Sequence, residues 1–136
     1  MPKNTNKEDE DDKYDCTPGT AYETFHAKLM NKAASETDDR GWSLADHFMD
    51  VDEGGAGGPA MAGLGAVEVR KATIARRRRA KESYSLLTSM IEGPHLEKIT
   101  TDFFQQGLDA FNYLDGELRT ATDALTLREQ DKEWDA

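Results

Sequence analysis

Seven cations stand close together in this chain: Arg70, Lys71, Arg76, Arg77, Arg78, Arg79 and Lys81. The chemistry they offer is phosphate contact. Guanidinium and ammonium groups neutralise a nucleic-acid backbone without reading its bases, and such contacts weaken with salt. The competing reading is a solvated basic helix face that pairs with the chain's own carboxylates. Tyr84 is the nearest aromatic, but it belongs to an apolar stripe, so stacking on bases is not indicated there. At about 100° per residue, Arg76 to Arg79 surround a helix rather than form one stripe, with Arg76 at the edge of the apolar face.

Other residues that could do chemistry lack the necessary pattern. Cys16, His26, His47 and His95 show no CxxC or HxxxH spacing, so no metal site is expected. Asp50-Val51-Asp52-Glu53-Gly54-Gly55 superficially suggests a calcium loop. It fails at its fifth position, Gly54, and at its twelfth, Met61, where a bidentate Glu belongs. There is no GxSxG, no phosphate-binding GxxxxGK[ST] loop and no HExxH. The expectation is a protein that is not an enzyme and needs no cofactor.

Charge and composition narrow the class further. The chain has 136 residues, of which 37% are hydrophobic and 32% charged, and a net charge of -10. Residues 61–100 carry eight Lys/Arg against four Asp/Glu, while residues 1–60 and 101–136 are both acidic. The overall negative charge argues against strong, indiscriminate nucleic-acid binding, and the basic middle between acidic flanks leaves a weaker, local patch. One cysteine cannot form a disulfide within the chain. No signal peptide and no apolar run of membrane-spanning length is present, so a soluble intracellular protein is expected.

The elements that would position the cations read as helices. Residues 1–15 are polar and acidic and are expected to be a disordered tail. Residues 16–51 form an N-terminal helical part. Thr20 with Glu23 predicts a capping box, followed by Tyr22, Phe25, His26, Leu29 and Ala33 on one face. Ser43 with Asp46 predicts a second cap, with Trp42 before it and Leu44, Phe48 and Val51 behind. Residues 52–65 are Gly-rich and are expected to be a flexible linker. Residues 66–136 would form the helical core. A helix over 66–92 carries Val69, Thr73, Ala80, Tyr84, Leu87 and Ile91 on one face and stops at Gly93-Pro94, read as a C′ glycine and proline. Leu96, Ile99 and Phe103 mark a short helix, Leu108 to Leu118 another, and a last helix starts near Thr122. The predicted fold class is therefore all-α, a small bundle of five or six helices.

The central stretch resembles the Gag region of copia-type LTR retrotransposons. Tyr84, Leu87 and Ile91 take that family's amphipathic helix, and Leu96 and Ile99 its short segment. Gly107-Leu108-Asp109-Ala110-Phe111-Asn112-Tyr113-Leu114 matches its Ala-x-x-Ala-Trp-x-x-Leu helix, with Gly107 for the small Ala and Phe111 for the Trp. Upstream, Tyr22, Phe25, Leu29 and Gly41-Trp42-Ser43-Leu44-Ala45-Asp46-His47 look like the preceding part of such polyproteins. The resemblance implies a capsid-like helical protein that self-assembles and packages element RNA, within a polyprotein that continues into a CCHC zinc knuckle. One cysteine makes no knuckle, so a chain truncated at Ala136 is expected. Trp42, Phe103, Phe104 and Trp134 are the candidates for apolar contacts between copies. The rival reading is an acidic helical adaptor that binds a protein partner and has no RNA role.

Overall fold

The computed structural model describes residues 13–135, with side chains through Arg128. These residues are mostly helical and contain no strand. Helix α1 spans Thr20–Ala34, α2 Leu44–Phe48, α3 Ala66–Met90, α4 Pro94–Asp102 and α5 Gly107–Asp135. The all-α bundle predicted from periodicity is what forms.

Helix α1 buries Tyr22, Phe25, Leu29 and Ala33, the face read from their spacing. Its start differs from the expected capping box. Gly19, at φ +95°, is the N-cap, and no side chain caps the helix. The Gly19 N–H donates instead to Thr122 Oγ1 on α5 (2.8 Å), so a tertiary bond ties down the entry. Helix α2 does carry its predicted cap. Ser43 Oγ accepts from the Asp46 N–H at 3.2 Å, and Asp46 Oδ2 accepts from the Ser43 N–H at 3.0 Å. Two orphan donors of a five-residue helix are thereby satisfied.

The end of α3 corrects the reading of Gly93. The helix stops at Met90, and Ile91 is extended at φ -124° and ψ 161°. Ile91 pairs with Tyr14: the Tyr14 N–H donates to Met90 O and the Glu92 N–H to Tyr14 O, both at 2.9 Å. Gly93, at φ +101°, then starts α4 rather than ending α3. The same pairing corrects the tail. Tyr14 is fixed, and its ring stacks on Phe25 with centroids 4.5 Å apart. Residues 1–12 of the expected tail lie outside the described residues.

The two helices expected after Gly107 are one, α5. Its first residue meets α3 so closely that a Cβ on Gly107 would lie 2.0 Å from Ser83 Oγ and 2.6 Å from the Tyr84 nitrogen. Glycine here allows two helix backbones to touch. Beyond that contact, Tyr84 and Leu87 of α3 join Ala110, Phe111, Leu114 and Leu118 of α5 in the core. Tyr22, Phe25 and Leu29 of α1, Phe48 of α2 and Ile99 of α4 complete it. The segments 16–51 and 66–136 thus share one hydrophobic core. No helix among the described residues is long and apolar enough to cross a membrane.

Candidate nucleic-acid interface

The cations of α3 do not act as one group. Ala72, Arg76, Arg79, Ser83 and Leu87 follow one another at helical spacing on the inward face. Ala72, Arg79, Ser83 and Leu87 are each 1% exposed or less. Val69 and Thr73, expected on that face, are half-buried and exposed respectively. The inward stripe is rotated from the predicted one because two arginines occupy positions that apolar periodicity gives to hydrophobic residues.

Arg79 is held by three acidic residues. Its Nε donates to Asp52 Oδ2 at 2.7 Å and its Nη1 to Asp38 Oδ2 at 2.6 Å, while Nη2 lies 3.7 Å from Glu53 Oε1. Arg76 donates to Asp52 Oδ1 at 2.5 Å and to Asp50 Oδ1 at 2.9 Å. Asp52, fully buried, also faces His47 Nδ1 at 3.0 Å. A carboxylate can only accept, so Nδ1 carries the proton in this pair. The buried His47 Nε2 has no hydrogen-bond partner. Arg40 closes the cluster with a two-pronged pair to Glu53. Asp38 also accepts from the backbone N–H groups of Arg40 and Trp42, each at 3.0 Å.

The electrostatics follow from these bonds. Burial by itself raises the Asp52 carboxyl, but the bonds from His47 and Arg79 and the charge of Arg76 outweigh it and hold it below its ordinary range. Asp38 is lowered in the same way. Its burial is overcome by the Trp42 N–H, the Arg79 guanidinium and the Arg40 N–H. The loop that supplies Asp52 and Glu53, residues 52–65, was expected to be a flexible linker, with Asp50 just before it. Its first half is instead a hydrogen-bonded turn wrapped over Arg76, in which Gly57 N–H donates to Asp50 O at 2.8 Å and Gly55 N–H to Asp52 O at 2.8 Å. A Cβ on Gly58 would stand 2.0 Å from Asp52 O, so the turn closes only with glycine there. The motif that failed as a calcium loop binds guanidinium groups, and among the described residues no cluster could hold a metal ion.

Arg76 and Arg79 are therefore removed from the candidate phosphate-contacting set. The other five cations, Arg70, Lys71, Arg77, Arg78 and Lys81, are all exposed. Counted at about 100° per residue, they fall within roughly 60° of Ile74, as does Val67. Ile74 and Val67 are 49% and 66% exposed. The result is a one-sided basic strip, Arg70 to Lys81, about 17 Å long at 1.5 Å per residue. Among the described residues its only ion pair is the loose Lys71–Glu68 contact at 3.8 Å, on the exposed surface.

The apolar candidates separate as well. Phe104 is 60% exposed in the α4–α5 turn, edge-on to Tyr84. Phe103 is half-buried and packs on Tyr113, with ring centroids 5.6 Å apart. Trp42 is half-buried beside α3, in a groove with Ile74. Trp134 lies in α5, where its side chain falls outside the described residues. Sequence reasoning missed Asp38, His47, Asp52 and Glu53 as partners of the arginines. The available signal was the Arg76–Arg79 spacing on the Ala72–Ser83–Leu87 face, which demands buried counter-charges. Comparison with protein-family models, curated proteins and solved structures finds no match.

Proposed function

We propose that this chain is a non-enzymatic structural module of the copia-type Gag kind, one that associates with its own copies and gathers RNA in the cytoplasm. The observation that carries the reading is the one-sided strip of Arg70, Lys71, Arg77, Arg78 and Lys81 on α3. Five unburied cations on one face are a sequence-independent phosphate contact, suited to packaging rather than to reading a site. The helix pattern that prompted the Gag resemblance agrees with this, since Tyr84, Leu87, Ile91, Ile99, Ala110, Phe111 and Leu114 are all core residues. Self-association would use exposed apolar residues, of which Val67, Leu127 and Phe104 are the most exposed.

The test is binding of an unstructured RNA across a salt series, with particle size followed by light scattering and electron microscopy. The expected result is a binding constant that falls steeply with salt and assemblies that grow with RNA. A monomer at high concentration that retains no RNA at low salt overturns the proposal. A second reading, the acidic adaptor for a protein partner, is favoured by one observation: two of the seven cations are spent on internal carboxylates. A one-to-one complex with another protein and no RNA would support it.

A further inference from the structure

The strip has an aromatic neighbour that is distant from it in sequence. A groove of about 530 Å³ runs between the end of α1, the 35–42 turn and α3. Pockets that hold small ligands span about 300–1,000 Å³. Trp42, Leu44, Ile74 and Ala75 give it an apolar lining, and Lys71 and Arg78 stand along one side. Ile74, Lys71 and Arg78 are also members of the basic strip, so groove and strip are one continuous surface. Lys32 of α1 adds a cation to the opposite side.

The indole is available. No aromatic ring among the described residues packs on Trp42, whereas Tyr14, Tyr22, Phe25, Phe48, Phe103 and Phe111 all have ring partners. Trp42 is also held in place. Its backbone N–H donates to Asp38 Oδ1, which in turn is fixed by Arg79, and it adjoins the Ser43 cap of α2. The buried ion cluster therefore anchors the backbone that presents the indole.

We infer that this groove takes an unpaired base of single-stranded RNA, stacked against Trp42, with the flanking phosphates on Lys71 and Arg78. The inference rests on the RNA reading above and adds a site and a strand preference to it. The shape of the groove and the strip of cations beside it favour this occupant. A stacking surface joined to a line of cations is the arrangement that holds single strands without sequence reading. A duplex keeps its bases stacked on one another and could use only the cations. The carboxylates of Glu36, Asp38, Asp39 and Glu82 also line the groove, as many as its cations Lys32, Arg40, Lys71 and Arg78. They repel phosphate but accept hydrogen bonds from exocyclic amino groups, so they suit the base end of a nucleotide.

The experiment uses the full chain carrying Trp134→Phe, which leaves Trp42 as its one indole. Its fluorescence is titrated with a short oligoadenylate and, separately, with a hairpin duplex RNA. The expected result is saturable quenching by the single strand only. Trp42→Leu should weaken single-strand affinity roughly 5- to 160-fold, the span of one lost base–aromatic stack. It should leave duplex affinity unchanged, and Trp42→Phe should retain most of the binding. Arg78→Ala should weaken both RNAs without touching the fold. If Arg78→Ala weakens RNA binding but the single strand never quenches Trp42, the groove is not the site and the RNA reading survives alone. Absence of binding by every variant sinks both. Trp42 fluorescence that changes with protein concentration and ignores RNA would make the groove a contact between copies and overturn the base site.

Discussion

Arg78 and Arg79 are chain neighbours with opposite surroundings, and replacing each by Met separates the two roles. Arg79 is 1% exposed, and its partner Asp52 is fully buried. Removing one partner of a buried ion pair costs about 3–5 kcal/mol, because the other charge stays behind. Here Asp52 keeps His47 and Arg76, and Asp38 is partly exposed with two backbone donors. Methionine also preserves the packing of the buried stem. The lower end, about 3 kcal/mol, is therefore expected. For a chain of this length that lowers Tm by about 10 °C. Arg78→Met removes an exposed cation and should change stability by less than about 0.5 kcal/mol. RNA binding should respond in the opposite order. Arg78→Met should reduce the salt slope by about 0.7 for one lost single-strand phosphate contact, and Arg79→Met, assayed well below its Tm, should not. Circular-dichroism melts and a salt-series binding assay read both. Equal loss of stability in the two variants, or an equal change of slope, would refute the sorting of the arginines into an inward and an outward pair.

Other consequences follow from single contacts. Gly107→Ala forces a Cβ against the Ser83 and Tyr84 atoms of α3 and should cost about 1–3 kcal/mol by overpacking. Gly116→Ala, in the same helix with nothing within 4 Å of the new Cβ, should gain about 0.5–1 kcal/mol; urea midpoints compare them. Asp52 and Asp38 have lowered folded-state pKa values, so their contribution is complete above the ordinary carboxylate range and is lost as pH falls through the lowered values. Asp52→Asn should flatten the acid limb of a stability-versus-pH curve, and an unchanged limb would contradict the pairing. Ser43→Ala breaks the cap of α2 and should cost about 0.5–2 kcal/mol in chemical denaturation.

The parts of this fold that were legible in the sequence are those where local pattern and tertiary environment agree. Tyr22, Phe25, Leu29 and Ala33 follow helical spacing and are buried together. Ser43 and Asp46 make a cap whose bonds are local, so four consecutive residues suffice to predict it. The misreadings arose where a distant segment decides. Gly19 starts α1 because Thr122, on the last helix, receives its N–H. Tyr14 is ordered because Ile91 offers it a backbone to pair with. No periodicity in either segment encodes the other's position. The α5 join at Leu118 and Thr122 is a different case: no glycine or proline separates them, so the break had no physical basis.

The arginine run shows the same logic at the site. A sequence displays four consecutive cations, and helical geometry alone spreads them around the axis. What sorts them is the DxDE turn after α2, whose carboxylates reach Arg76 and Arg79 across more than twenty residues of chain. Burying those two charges draws the 50–53 turn, the Asp38 turn and α3 into one unit. It also leaves the outward cations with no carboxylate among their described partners beyond Glu68. Had all four arginines faced water, the acidic excess of the chain could have screened them from many directions. With two clamped inside, the remaining positive charge points one way, along the side of α3 that borders Trp42. The buried cluster thus does two things with one set of bonds. It fixes the turn that presents the indole, and it gives the basic strip a direction.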